Sequence, residues 1–277
     1  MTPHHLNPLK QNRPGAVVIL IGLALLAACS GQRGQRVEDL PTPASIEGLA
    51  TAQFLTANAP PPGFEGPLAL PEVDANLTAL PGWRYVVELA FDGVFAGTPR
   101  QTAATAQAEI WYRQLGAARR VVVSTSGELL GRQDSAFEAV RLAEDAFLVR
   151  EGVCSGGPDA ATAADLRAGM LVGGVNRATF AGKRATLNGE EAWLYTFSTA
   201  DLNLPSVRLS DEGSLTLTGG ELWFAPARNA VIRFYVNLDV NNAIIFDRQL
   251  PVSGQLLLRY DLYDIGLESN ITVPFGC

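Results

Sequence analysis

The sequence predicts a β-dominated α+β protein built on a single antiparallel sheet with one helical insertion. Three observations predict this fold class. From residue 83 onward, apolar and polar residues mostly alternate with a period of two, which is typical of strands that bury one face. Glycine and proline clusters separate most of the alternating runs, as the turns of an antiparallel meander require. One alanine-rich stretch breaks the alternation and marks the helix.

Residues 1–28 predict a bacterial lipoprotein signal peptide. Lys10 and Arg13 precede an apolar run from Ala16 to Ala28, which is shorter than the about 20 residues that a transmembrane helix needs. The run ends in Leu-Ala-Ala-Cys29, which resembles a lipobox. The resemblance implies a diacylglyceryl group on the Cys29 thiol, cleavage before Cys29, and a further acyl chain such as palmitate on the freed amine. An ordinary secretory signal that ends in cysteine is the alternative.

Residues 29–80 predict the lipidated cysteine and a proline-rich tether behind it. Prolines recur at positions 41, 43, 60, 61, 62, 67 and 71, and such a segment stays semi-extended. Apolar residues between 44 and 56 predict either a short helix or a strap across the following domain. Because two or more acyl chains hold a protein stably on a bilayer, we expect an extracytoplasmic protein at the cell membrane or cell envelope. The membrane is then a partner through lipidated Cys29.

The composition behind the signal peptide excludes several functional classes. Lys10 and Arg13 are removed with it, so the remaining net charge is 19 minus 28, or −9, which argues against a nucleic-acid partner. His4 and His5 are the two histidines of the chain, and both lie in the predicted signal peptide. Catalysis by Ser-His-Asp or Cys-His is therefore excluded, and the commonest metal ligand is missing. We expect no enzymatic activity, no metal and no cofactor.

Cys154 and Cys277 predict a disulfide bond. They are the two cysteines that remain beside Cys29, and a leftover pair in an oxidising compartment favours a disulfide. The bond closes a long loop and contributes about 2–4 kcal/mol. Two unpaired thiols are the alternative.

The period-two pattern predicts ten strands. In the first, Tyr85, Val87 and Leu89 alternate with Glu88 and Ala90. The predicted strands are 83–95, 106–113, 120–124, 136–142, 146–150, 192–199, 214–218, 221–225, 231–240 and 254–263. Between the fifth and the sixth strand, Pro158 and Asp159 open an alanine-rich helix over 160–171, and glycines at 173 and 174 end it.

Three segments carry a resemblance to the LolA-like and LppX/LprG-like lipoprotein families. Residues 180–197 contain a strand ending in Asn-Gly and then an aromatic strand, residues 221–234 resemble a hairpin of two sheet strands, and residues 260–274 resemble the closing strand with its Ile-x-x-Pro tail. The resemblance covers 81–277 and implies a half-barrel, in which a helical insertion covers one face of a curved sheet. It also implies a lipid or lipoprotein carrier.

The resemblance further implies a cavity between sheet and helices that binds a lipid, a lipopeptide or another hydrophobic ligand. Apolar residues on one face of the predicted strands and in the helix are the candidates to line it. The candidates are Phe91, Ile110, Met170, Leu171, Phe180, Trp193, Tyr195, Phe197, Trp223 and Phe234. Ordinary core packing of the same residues is the alternative. In that case the protein is a non-catalytic structural or interaction lipoprotein with a filled core.

Overall fold

The structure is a computed structural model that describes residues 50, 53–54, 56–130, 135–246 and 250–277. Cys29 and the predicted signal peptide lie outside the described residues. The chain divides into two units, Met1–Thr51 and Ala52–Cys277, and the second holds all the strands described below. Residues 53–54 and 56–58 in this unit are helical.

Thirteen strands in the described part of the chain form one sheet. They are β1 (Leu68–Leu70), β2 (Gly82–Phe95), β3 (Gln101–Arg113), β4 (Ala118–Ser126), β5 (Ser135–Leu142), β6 (Asp145–Arg150), β7 (Val153–Gly156), β8 (Gly174–Leu187), β9 (Glu190–Thr196), β10 (Leu202–Asn203), β11 (Val207–Ala225), β12 (Ala230–Ile245) and β13 (Val252–Tyr263). The helices are α1 (Pro158–Ala164) and α2 (Ala168–Val172), with 3-10 turns at Leu77–Ala79, Leu115–Ala117, Glu128–Leu130, Thr199–Asp201 and Pro226–Arg228.

The sheet is open and antiparallel throughout. Its order is β1-β8-β9-β11-β12-β13-β2-β3-β4-β5-β6-β7, with β10 beside β8. Most neighbours in space are neighbours in sequence, as in a meander, and the chain departs from this where β13 returns to pair with β2. The predicted fold class, a β-dominated half-barrel with a helical insertion, is confirmed.

The alternating sequence pattern gives the sheet two distinct faces. Along β2, Tyr85, Val87 and Leu89 are buried, whereas Arg84 and Glu88 point to the opposite side and are partly or fully exposed. We call the side that carries Tyr85 the inner face and the other side the outer face. The main hydrophobic core lies on the inner face, because successive side chains of a strand point to opposite sides.

The helical insertion lies on the inner face but differs from its predicted form. A single helix was expected over 160–171, whereas the structure has two helices separated by Asp165–Arg167. Arg167 is extended and precedes α2. In α1, Ala160 and Ala164 are buried, and their small side chains allow close contact with β5 and β6. Gly173 ends α2 with φ at 68°, a value that favours glycine.

Other parts of the sheet also differ from the predicted strands, beginning with the short strands β1 and β10, which the pattern does not predict. The expected strands 214–218 and 221–225 are one continuous strand, β11, whose pairing with β12 shifts register between Leu217 and Gly219. The pattern also left 153–156 and most of 174–187 without a strand, where the structure has β7 and β8. The resemblance alone had placed a strand before Asn188-Gly189.

Residues 58–80, which fall within the predicted tether, contact the sheet. β1 pairs with β8. The Trp193 indole donates a hydrogen bond to the Asn58 carbonyl at 3.0 Å, and the Tyr195 hydroxyl donates one to the Phe64 carbonyl at 2.8 Å. This part of the chain therefore supplies an edge strand and closes the aromatic end of the core.

The C-terminal tail crosses the outer face and ends in a disulfide. The Gly266 N–H donates to the Gly82 carbonyl at 2.8 Å, and Ile271 then packs against Ala118 and Val140. Cys277 is bonded to Cys154 in β7, with the two Cα atoms 5.4 Å apart. The predicted disulfide is therefore confirmed, and it ties the end of the tail to the edge strand.

Candidate functional site

The candidate site is a cavity of about 520 Å³ between the inner face and the helical insertion. Its floor is formed by β2, β3 and β4, its roof by residues 166–171, and its side by the chain around 205–208 together with Phe246. The lining residues are Leu89, Ala106, Gln107, Ala108, Val123, Thr125, Leu166, Met170, Leu171, Pro205, Ser206, Arg208 and Phe246. Most of this lining is apolar.

Small side chains on β3 create the space for the cavity. Ala104, Ala106 and Ala108 follow one another on the inner face, and Ala106 pairs with Leu89 of β2 on one side and with Thr125 of β4 on the other. A larger side chain at 106 or 108 would extend toward the roof. Because protein interiors are otherwise packed to crystal-like density, a row of alanines below a covering helix leaves volume.

The roof is attached to the sheet through a buried phenol, Tyr85. Its hydroxyl accepts a hydrogen bond from the Ala168 N–H at 3.0 Å and another from an Arg119 Nη2 at 3.1 Å. The same Arg119 nitrogen donates to the Leu166 carbonyl. These bonds join β2 and β4 to the break between α1 and α2, and so fix the position of Leu166 above the cavity floor.

A carboxylate, Asp74, completes the attachment. Its Oδ1 accepts the Gly169 N–H at 3.1 Å and lies 3.3 Å from Arg167 Nη2, which also contacts Glu72. Asp74 is 6% exposed, so these contacts are shielded from water and stronger than surface ones. We call Glu72, Asp74, Tyr85, Arg119 and Arg167 the roof cluster. It satisfies two backbone N–H groups at the start of α2 that have no partner within the helix.

Burial controls the protonation of the tyrosines beneath the roof. Burial, and secondarily the nearby Asp74 carboxylate, raise the pKa of the Tyr85 phenol far above its ordinary value, although Arg119 acts in the opposite direction. Burial also raises the pKa of Tyr260, whose ring centre lies 5.3 Å from that of Tyr85. The Tyr260 hydroxyl has no hydrogen-bond partner among the described residues. Both phenols are therefore neutral at physiological pH.

The structure brings two of the ten predicted lining residues to the cavity. Met170 and Leu171 form part of the roof. Six of the others are buried in the main core, and two are partly buried against it. The buried six are Phe91, Ile110, Trp193, Tyr195, Trp223 and Phe234; the partly buried two are Phe180 and Phe197.

The aromatic candidates pack mainly against one another at the other end of the sheet. Tyr195 lies 5.9 Å from Phe180 between ring centres, and Phe197 lies 5.7 Å from Phe234. Tyr195 also meets Phe224 edge to face, a favourable aromatic geometry. This end of the core is filled, and the cavity lies at the alanine-rich end.

The ten predicted residues omit several that line the cavity, including Leu89, Ala106, Ala108, Val123 and Phe246. The available signal was the run of inward-facing alanines in β3, because a row of small residues on a buried face indicates missing volume. The roof cluster gave no sequence signal, since Glu72 and Asp74 stand about 90 residues before Arg167.

Among the described residues, no group of three or more His, Cys, Asp or Glu side chains is placed to hold a metal ion. No helix in the same part of the chain is long and apolar enough to cross a membrane.

Comparisons with known proteins were made by sequence and by structure. No protein-family model and no curated protein matches the sequence. Among solved structures, LprF from Mycobacterium bovis is 13% identical, with 82% of this chain and 97% of that chain covered and a TM-score of 0.34. A putative outer membrane lipoprotein-sorting protein domain from Vibrio parahaemolyticus is 11% identical, with 79% and 93% covered and a TM-score of 0.19. These structures are LppX/LprG-like and LolA-like respectively, the families that the sequence resembles.

Proposed function

We propose that the protein is an exported lipoprotein, anchored at the cell membrane or cell envelope through lipidated Cys29, that binds a lipid or another hydrophobic ligand. The observation that carries the proposal is the cavity of about 520 Å³ between β2–β4 and the roof. Pockets for small ligands measure roughly 300–1,000 Å³ and are lined mostly by apolar side chains with a few polar groups.

The chemistry of the lining favours an apolar ligand. Arg208 is the one charged residue in the lining, and Thr125 and Ser206 are its polar members on the inner side, because the Gln107 side chain belongs to the outer face of β3. Burial of an acyl chain stabilises a complex by about 0.8 kcal/mol per CH₂ group. A lining with few polar groups therefore gains most from a ligand that offers hydrocarbon.

Met170 offers a route by which a ligand enters. Its side chain belongs to the roof and is 59% exposed, so it lies between the cavity and solvent. A methionine side chain is unbranched and adapts its shape readily. Movement of Met170 opens the roof without any change in the hydrogen bonds of the roof cluster.

Binding without catalysis fits the residues present. The lining contains the hydroxyls of Thr125 and Ser206 but no histidine and no carboxylate that would activate them. The Ser206 hydroxyl donates a hydrogen bond to the Leu171 carbonyl at 2.7 Å, so it holds the roof to the side of the cavity.

Native mass spectrometry tests the proposal on the chain from Ser30 to Cys277, exported during expression so that the disulfide forms. We expect an added mass of several hundred daltons that organic solvent extracts. The variant Ala106→Phe fills the cavity and should lower the bound fraction at least fivefold, since its ring occupies the ligand volume. Ala103→Phe is the matched control, because residue 103 lies on the same strand but is exposed on the outer face.

Each outcome decides for or against the proposal. Loss of the added mass in Ala106→Phe and its retention in Ala103→Phe supports binding at the inner face. If the unmodified chain and both variants show only the mass of the protein, and none takes up palmitate or phospholipid when it is offered, lipid binding is refuted. That outcome favours a structural or interaction lipoprotein. Equal loading of the two variants refutes the assignment to this cavity.

A further inference from the structure

A row of polar side chains crosses the outer face at right angles to the strands. Direct pairing links β11, β12, β13, β2, β3, β4 and β5, and one residue of each strand stands in the row. The row is Glu221, Tyr235, Arg259, Glu88, Gln107, Ser124 and Ala136. Seven strands spaced by about 4.8 Å make it roughly 29 Å long. We call it the polar row.

A groove follows the polar row along its whole length. Three adjoining depressions of about 280, 450 and 550 Å³ contain its residues. The first two share Tyr235 and Arg259, and the second and third share Glu88 and Gln107. These shared residues stand in the polar row itself, so the three depressions adjoin one another along the outer face.

The two sides of the groove differ in height. On one side, long side chains are held upright by ion pairs, and they form a ridge. The pairs are Arg233 with Asp261, Arg84 with Glu109 and Arg120 with Glu138, at N–O distances of 2.7–2.8 Å. On the other side the outward residues are mostly small: Gly219, Ala90, Thr105 and Ser126. The ridge is already paired internally, so the groove itself carries the unused hydrogen-bonding groups.

Those unused groups lie at the centre of the polar row. Among the described residues, Glu88, Gln107 and Ser124 make no side-chain hydrogen bond and no ion pair, and all three are exposed. The Arg259 guanidinium lies over the Tyr235 ring, 5.2 Å from its centre, a cation–π contact, and its N–H donors make no hydrogen bond or ion pair within the described part of the chain. Along the row, the Glu88 carboxylate thus accepts hydrogen bonds, the Arg259 guanidinium donates them, and Gln107 and Ser124 do both.

We infer that this groove is a second binding site and that its ligand is an extended, neutral, hydroxyl-rich chain, which is the chemistry of a glycan strand. A hydroxyl group both donates and accepts hydrogen bonds, so one type of group satisfies Glu88, Gln107, Ser124 and Arg259. The row carries two carboxylates, Glu88 and the Trp223-bonded Glu221, against one guanidinium, so a phosphate polymer is repelled.

The position of the groove argues against an extended peptide. Peptides that add to a sheet bind through main-chain hydrogen bonds at an edge strand. Every strand under the polar row is paired on both sides, so no free main-chain group is offered there. The protein's own tail shows that a chain can cross this face: it runs from Gly266 past Ile271 to Cys277, near the other end of the same strands.

Titration calorimetry on the chain from Ser30 to Cys277 tests the inference with two neutral probes, an N-acetylglucosamine hexamer and maltohexaose. We expect at least one hexasaccharide to bind, and its disaccharide to bind more weakly because it covers less of the row. Glu88→Ala removes a carboxylate acceptor at the centre of the row, at a residue that does not line the inner cavity, and should weaken binding about three- to tenfold, the effect of one lost hydrogen bond. Asp92→Ala is the matched control, an exposed carboxylate on the same strand and face but roughly 13 Å away along β2.

The outcomes separate this site from the inner cavity. Weaker binding by Glu88→Ala alone, with lipid uptake unchanged in both variants, supports a glycan groove. The absence of binding by both hexasaccharides overturns it, as does equal weakening by the two variants. The glycan assignment is also overturned if an oligothymidylate, or a peptide of Gly, Ser and Gln, binds more tightly than the hexasaccharides of the same length.

Discussion

The substitution Tyr85→Phe removes one hydroxyl from the roof cluster and leaves the aromatic packing intact. The Tyr85 ring stacks on Trp83 with 4.9 Å between ring centres and lies 5.3 Å from Tyr260, and a phenylalanine ring keeps both contacts. What disappears is the acceptor for the Ala168 N–H and for Arg119, together with the hydrogen bond that the hydroxyl donates to Asp74 Oδ2 at 3.4 Å. The variant therefore isolates the polar attachment of the roof.

The expected loss of stability follows from the groups left without a partner. The Ala168 N–H is buried and loses its acceptor, at a cost of about 1–3 kcal/mol. Arg119 still bonds to the Leu166 carbonyl, and Asp74 still accepts from Gly169, so together they add about 1 kcal/mol or less. We expect Tyr85→Phe to lower the free energy of unfolding by about 2–3 kcal/mol.

Tyr260→Phe is the matched control for this experiment. Tyr260 is as fully buried as Tyr85 and lies beside it, but its hydroxyl has no partner among the described residues. Removal of a buried, unpaired hydroxyl is neutral or stabilising, so we expect a change within about 0.5 kcal/mol or a gain of up to about 1 kcal/mol. The two variants change the same atom in the same core.

Urea unfolding gives the free energies, and amide hydrogen exchange reports the roof itself. In Tyr85→Phe, the amides of Ala168 and Gly169 should lose protection while those of β12 and β13 keep theirs, because local opening requires less free energy than global unfolding. The reasoning is refuted if Tyr85→Phe and Tyr260→Phe are equally stable. It is also refuted if Tyr85→Phe is destabilised without faster exchange at Ala168.

Two further perturbations test the tail and the tyrosines. Reduction of Cys154–Cys277, or Cys277→Ser, should lower the free energy of unfolding by about 2–4 kcal/mol and expose Ile271 to solvent; an unchanged urea midpoint would contradict a structural disulfide. Burial raises the pKa of Tyr195 to about 12 and also raises that of Tyr85 and Tyr260. Above about pH 10 the unfolded chain releases phenolic protons that the folded chain keeps, so stability should fall as the pH rises from about 10 to about 12. A flat profile over that range would show that these phenols ionise equally in both states.

The sequence was sufficient for the strands that bury one face against the core. β2–β6, β12 and β13 all coincide with a predicted alternating run, because each has apolar residues on the inner face and polar ones outside. β8 has few apolar residues and a glycine at 182, so it forms a strand through its pairing with β1 and β9. Pairing with strands that are distant in the sequence does not show in the local alternation of apolar and polar residues.

Glycine explains the error in β11. The pattern predicts a break between two strands at Gly219 and Gly220, since glycine pairs often mark turns. A Cβ at residue 220 would lie 2.8 Å from Phe197 Cζ, so glycine lets this aromatic ring pack closely on the strand. Sequence alone does not separate these two uses of glycine, because the partner Phe197 follows β9 and is distant from residue 220 in the chain.

The location of the cavity follows from the sizes of the inward residues along one sheet. At the β9 and β12 end these residues are aromatic, including Trp193, Tyr195 and Phe234, and they fill the space below the covering segments. At the β3 end they are Ala106 and Ala108, and the space remains. The prediction sought the ligand where apolar side chains are largest, but such residues complete a core and leave little room. In a half-covered sheet the better signal for a cavity is therefore a run of small inward residues opposite a helix. Under the proposed function, the size of residue 106 should set the length of ligand that the cavity accepts.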